Sequence, residues 1–121
     1  MFINFTNHDS AKWSAEQLTA ASQYGKIINM PFPDVDAEAD EYYIEALAQN
    51  CVDKIAGYHP NAVLCQGEMT LAFAVVKGLM VRGITVLAAC SRRNVIERIS
   101  RDGRAVKYAE FQFTCFRKYH C

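Results

Sequence analysis

Short apolar runs cut off by turn residues alternate here with longer stretches in which apolar residues return every three or four positions. Residues 1–5 form the first run and read as a buried strand, which the polar cluster Thr6-Asn7-His8-Asp9-Ser10 ends. Ser14 then reads as a helix N-cap, with Gln17 in the capping-box position, and Gly25 supplies a stop just after Tyr24. Residues 26–30 make a second strand, and Pro31-Phe32-Pro33 carries the chain out of the sheet. A second helix is expected with Asp34 or Asp36 as its cap. Tyr43, Ile44, Leu47, Ala48, Cys51, Val52 and Ile55 lie on its apolar face, and Gly57 and Pro60 mark its end.

The third strand is residues 62–65, and the third helix runs over 69–82, closed by Gly83. Residues 84–90 hold almost no polar side chain, the mark of a strand buried on both faces. After it, Ser91-Arg92-Arg93 reads as a turn, 94–99 as a short helix or turn, and Asp102-Gly103 as a turn signal. Residues 105–119 alternate apolar and polar, predicting a half-exposed strand that starts as a hairpin and bulges near Ala109 or Glu110. The order β-α-β-α-β-α-β-β predicts an α/β, Rossmann-like three-layer domain. Its sheet is mostly parallel with a C-terminal antiparallel strand, and helices cover both faces.

At 121 residues the sequence fits a single domain, 1–121, with a substantial core. Thirteen basic residues balance thirteen acidic ones, so no overall field would draw in a long nucleic acid. No apolar run approaches the roughly 20 residues of a membrane span, so no membrane is expected as partner. Five cysteines (Cys51, Cys65, Cys90, Cys115 and Cys121) are scattered without a C-x-x-C pair, which fits a reducing, cytoplasmic setting. His8, His59 and His120 lack metal-ligand spacing, and neither a G-x-G-x-x-G fingerprint nor a P-loop is present. No metal or cofactor is expected.

In a parallel sheet the loops after the strands converge on the carboxyl edge, where ligands bind. Three polar clusters follow strands here: Asn7-His8, Gln66-Gly67-Glu68 and Ser91-Arg92-Arg93. They bring amides, an imidazole, a carboxylate and two guanidiniums, a set suited to a phosphate-bearing, nucleotide-like ligand. Each has a plainer reading as well. His8 fits a turn-capping loop residue, Glu68 a first-turn carboxylate favoured by the helix dipole, and Arg92 with Arg93 a pair of solvated charges. Thr70 either lines the pocket or begins the helix, and Trp13 either stacks on a base or packs against the domain.

With those clusters in view, the chain resembles the small CRISPR-associated accessory proteins of type III systems, relatives of the CARF domain and predicted ring nucleases. The resemblance rests on Asn4-Phe5-Thr6-Asn7-His8, Gln66-Gly67-Glu68, Ser91-Arg92-Arg93 and Phe116-Arg117-Lys118-Tyr119, in that order. Cys90-Ser91 stands where that family carries a threonine-rich turn. The resemblance implies a CARF-like homodimer that binds cyclic oligoadenylate, with cyclic tetra-adenylate sharing the two-fold axis. It further implies metal-independent cleavage in which a ribose 2′-hydroxyl attacks the adjacent phosphate, ending type III signalling. On that reading His8, Glu68 and Arg92 are catalytic: His8 carries the proton for the leaving oxygen, Glu68 orients or deprotonates the 2′-hydroxyl, and Arg92 neutralises the phosphorane. Asn7, Gln66, Gly67, Thr70, Ser91 and Arg93 bind the ligand. Two alternatives stand beside it: a non-cleaving sponge or sensor for the same messenger, and a nucleoside-processing enzyme with a catalytic Glu68.

Overall fold

The computed structural model describes residues 1–120, and Cys121 lies outside the described residues. Five strands form one sheet: β1 (Phe2–Phe5), β2 (Ile27–Asn29), β3 (Ala62–Cys65), β4 (Val86–Ile99) and β5 (Ala105–Lys118). Their spatial order is β2-β1-β3-β4-β5, with the first four parallel and β5 antiparallel to β4. The result is a mixed α/β, Rossmann-like fold. Three helices connect the parallel strands: α1 (Ala15–Ser22), α2 (Glu41–Ala56) and α3 (Met69–Val81). Among the described residues no helix is long and apolar enough to cross a membrane.

Alternation along the central strands builds two cores at once. Ile3, Phe5, Val63, Cys65 and Val86 face α2 and α3, where Val52, Ile55, Leu71, Val75 and Leu79 pack on them. Phe2, Ala62, Leu64 and Leu87 face the other way, onto Ala21 of α1, with Trp13, Tyr24 and Phe116 closing that side. Side chains of this size each stabilise the fold by about 1.5–3 kcal/mol when fully buried. Such two-sided burial explains why residues 62–65 read as an unbroken apolar run.

Local signals act where expected at several boundaries. The Ser14 hydroxyl accepts from Gln17 N at 3.3 Å, and Gly25 takes a positive φ of 116° after α1. Other expectations need correction. The cap of α2 is Asp40, whose carboxylate accepts from Tyr43 N at 2.9 Å; Asp36 instead closes a turn by accepting from Glu38 N. Gly57 ends α2 as expected, as its right-handed C-cap, and His59 two residues on adopts the left-handed φ of 51°. The fourth strand does not stop at Cys90. It continues to Ile99, so Ser91, Arg92 and Arg93 are strand residues, and residues 94–99 are strand rather than helix or turn.

The reason is the partner strand. β5 pairs with β4 from Leu87↔Lys118 to Ile99↔Ala105, and the Asp102-Gly103 turn joins them with Gly103 at φ 82°. The expected bulge lies at Thr114, opposite Cys90 and Ser91, rather than near Ala109. There the extra residue is held by its hydroxyl, which donates to the Cys90 carbonyl at 2.9 Å.

Candidate functional site

The loop after β1 is fixed by a buried amide. Asn4 is 1% exposed, and its Nδ2 donates to the His8 carbonyl and to Asn29 Oδ1, each at 2.8 Å. The Thr6 hydroxyl donates to Asn4 Oδ1 at 2.8 Å and accepts from His8 N at 3.1 Å. Trp13 Nε1 donates to the same His8 carbonyl at 3.2 Å, while Asn29 binds Ser10 through both ends of its amide. The backbone at His8 is therefore tied inward from several directions, which leaves its side chain at the carboxyl edge of the sheet. A satisfied polar network of this kind rigidifies a loop.

Beside that loop opens a cavity of about 750 Å³, within the roughly 300–1,000 Å³ usual for small-ligand sites. Thr6, His8, Lys12, Trp13 and Ser14 line one side, and Leu64, Gln66 and Ala89 come from the sheet and its edge. Ser91, Asn94 and residues 110–113 of the β4–β5 hairpin supply the far wall. The Gln66 side chain is turned toward β4, its Oε1 accepting from Ala89 N at 3.4 Å. Asn94 Nδ2 donates to Gln112 Oε1 at 3.4 Å across the hairpin. The wall thus combines an imidazole, one ammonium (Lys12), two carboxylates (Glu16 and Glu110), several amides and hydroxyls, and the aromatic faces of Trp13, Phe111 and Phe113. Amides, a cation and stackable rings suit a nucleotide.

Of the residues singled out from sequence, His8, Gln66 and Ser91 meet on this wall, together with Trp13, whose ring also packs on Phe2 and Phe116. Asn7, Gly67, Glu68, Thr70, Arg92 and Arg93 do not line it. Glu68 is the N-cap of α3: its carboxylate accepts from Thr70 N at 3.0 Å, Leu71 N at 2.8 Å and the Thr70 hydroxyl at 2.6 Å. The Thr70 hydroxyl first, then the two backbone N–H groups, hold the Glu68 carboxyl below its ordinary range. A carboxylate so stabilised is a poor proton acceptor, and Thr70 is engaged with it. Gly67 has a packing reason: a Cβ there would run into the ring of Phe32, itself 3% exposed. Arg92 and Arg93 are exposed on β4 beyond the bulge, opposite Gln112 and Phe111.

Sequence reasoning passed over Lys12, Ser14, Asn94 and Gln112 as wall residues. Lys12 and Ser14 sit in the β1–α1 connection, a segment that any carboxyl-edge site would recruit. Asn94 and Gln112 had no such signal, because they reach the site only through the hairpin pairing. Burial pushes the Cys65 thiol up to about 12, so it is an inert core group. Among the described residues no cluster of three or more His, Cys, Asp or Glu is arranged to hold a metal ion.

A second, largely apolar groove of about 770 Å³ runs along α3, lined by Met69, Phe73, Met80, Val81 and Tyr119. It adjoins Gln66 and Gly67 from the opposite face of the sheet. Residues 1–117 match the Uncharacterized protein MJ1673 family, and the chain belongs to that family. No curated protein matches the chain, and no solved structure does.

Proposed function

We propose that the protein is a CARF-like homodimer that binds cyclic oligoadenylate in the carboxyl-edge cavity and cleaves it without a metal. The reading is supported by one observation above the others: His8, Gln66 and Ser91, far apart in sequence, meet on one polar wall. Gln66, Asn94 and Gln112 supply amides to read base edges or ribose, Trp13 and Phe111 offer stacking faces, and Lys12 is the cation nearest to hand for phosphate. A cavity of this size takes part of a cyclic tetra-adenylate, and a two-fold axis supplies a second cavity for the rest.

The chemistry asks little of the protein beyond geometry. The ribose 2′-oxygen forms a bond to the adjacent phosphorus as the bond from phosphorus to the 5′-oxygen breaks. The 2′-hydroxyl proton passes to a base, for which Glu16 or Glu110 on the wall serves, and His8 delivers a proton to the departing 5′-oxygen. The products are a 2′,3′-cyclic phosphate end and a free 5′-hydroxyl. Lys12 takes the charge-neutralising part first assigned to Arg92.

The displacement of Glu68 and Arg92 from the wall favours a second reading, binding without cleavage, in which the protein sequesters the messenger. Incubation of labelled cyclic tetra-adenylate with stoichiometric protein, followed by chromatography, separates the two. Linear product is expected, and His8→Ala should lower its rate by 10²-fold or more, in keeping with loss of a general acid of about 10²–10⁴, while binding persists. An intact ring establishes the sequestering reading; no binding of either ring size removes both.

A further inference from the structure

The β4–β5 hairpin extends far beyond the sheet that carries it. Only Val86 and Leu87 of β4 pair with β3, so the remaining twelve residues of the strand pair with β5 alone. At about 3.4 Å per residue this arm is on the order of 40 Å long. Its base walls the cavity, but toward its tip Val95, Ile99 and Val106 are exposed, Ile99 to 80%. A two-stranded ribbon with apolar residues open to water is marginal by itself and calls for a covering surface.

The arm's charge identifies the cover. It carries Arg92, Arg93, Arg98, Arg101, Arg104 and Lys107 against Glu97, Asp102 and Glu110. The connection after β2 and the first turns of α2 carry the opposite: Asp34, Asp36, Glu38, Asp40, Glu41 and Glu45, with no basic residue among them. All six are exposed. Among the described residues Arg104–Asp102, at 3.4 Å, is the arm's one ion pair, and the acidic segment has none. Exposed Tyr42 and Tyr43 lie within that segment and offer apolar faces to the arm's valine and isoleucines.

Among the described residues no ion pair joins an arm to the acidic segment of its own chain, and that segment departs from β2, at the opposite edge of the sheet from β5. A second copy removes the difficulty. A two-fold axis normal to the sheet at its carboxyl edge sets the β4–β5 flank of one protomer against the β2 flank of its partner, and makes the contact twice. We propose that the basic arm of each protomer docks on the acidic 34–45 segment of a second copy of this chain. This rests on the homodimer proposed above and not on the identity of the ligand.

Sedimentation of the full chain without ligand, across a salt series, reads the association directly. The wild type is expected to be a dimer that weakens as salt rises. Arg98→Glu with Arg101→Glu should raise the dimer dissociation constant at least tenfold. Adding Glu38→Arg and Glu41→Arg to that chain should recover most of the loss, since all four positions are exposed and none caps a helix. A shortened arm, with Asn-Gly replacing residues 96–108 between Val95 and Ala109, should be monomeric while keeping native far-ultraviolet dichroism. A monomeric wild type, a dimer indifferent to the reversals, or tight capture of a single-stranded RNA probe by Arg98 and Arg101 in place of self-association would each overturn the proposal. Cyclic tetra-adenylate binding to the same variants is measured separately, so a failed arm and a failed ligand assignment give different results.

Discussion

Individual polar side chains in this protein work mainly by holding backbone in place. Asn4 is the strongest case: an amide in a fully buried strand that spends its hydrogen bonds on His8, Thr6 and Asn29. Glu68 does the same at the start of α3, and this gives its ionisation a consequence for stability. The folded carboxyl titrates below its ordinary range, held there first by the Thr70 hydroxyl and then by backbone N–H groups. A depressed carboxylate stabilises the fold above its unfolded pKa, about 4.3 for glutamate, and that contribution is lost as pH falls through the folded value. Glu68→Gln should therefore lower the urea midpoint at pH 7 and show a shallower loss between pH 5 and 3, so the two curves converge in acid. Parallel curves across that interval would remove the carboxylate from the cap. Ser14 was legible as a cap because Ser-x-x-Gln is a local signature. Asn4 was not, since its partners at Asn29 and His8 become neighbours only when β2 lies beside β1.

Among the elements, the parallel strands and their helices could be read from apolar spacing, and residues 62–65 coincide with β3. The fourth strand could not. Ser91-Arg92-Arg93 has the composition of a turn, and it stays extended because Phe113, Gln112 and Phe111 of β5 offer it ladder partners. That long-range pairing, absent from local pattern, also carries the guanidiniums away from the cavity while Ser91 and Asn94 join its wall. Gly67 shows a similar exchange of reasons. The glycine expected to admit a ligand instead admits Phe32, whose ring packs 5.0 Å from that of Phe5 and roofs the entrance to α3. Gly67→Ala should cost about 1–3 kcal/mol by overpacking, read as a lower urea midpoint with unchanged slope. A neutral substitution would show that Phe32 can yield and return the backbone at Gly67 to consideration as a ligand contact.

For the whole molecule, the arrangement β2-β1-β3-β4-β5 puts the carboxyl ends of β1 and β3 beside the continuing strand β4, and this is what unites His8, Gln66 and Ser91. The convergence followed from chain order and the right-handed crossover rule, so the place of the cavity was available before its residues were. What pattern and spacing left open was the far wall, which the hairpin builds from residues 94 and 110–113. A ligand gripped between that wall and the β1 loop joins two parts of the fold that also meet through Trp13 and Phe116, whose rings lie 6.3 Å apart. It therefore binds the folded chain and not the unfolded one. At 100 times its dissociation constant such a ligand raises unfolding free energy by about 2.7 kcal/mol. Thermal melts with cyclic tetra-adenylate and cyclic hexa-adenylate should show an upward shift for one ring size, growing with the logarithm of concentration. Lys12→Ala should reduce that shift while the unliganded melting temperature stays put, because the Lys12 side chain is exposed on the cavity rim and, among the described residues, makes no ion pair. Melts that ignore both rings, or a shift that survives loss of Lys12, would move ligand recognition away from this wall.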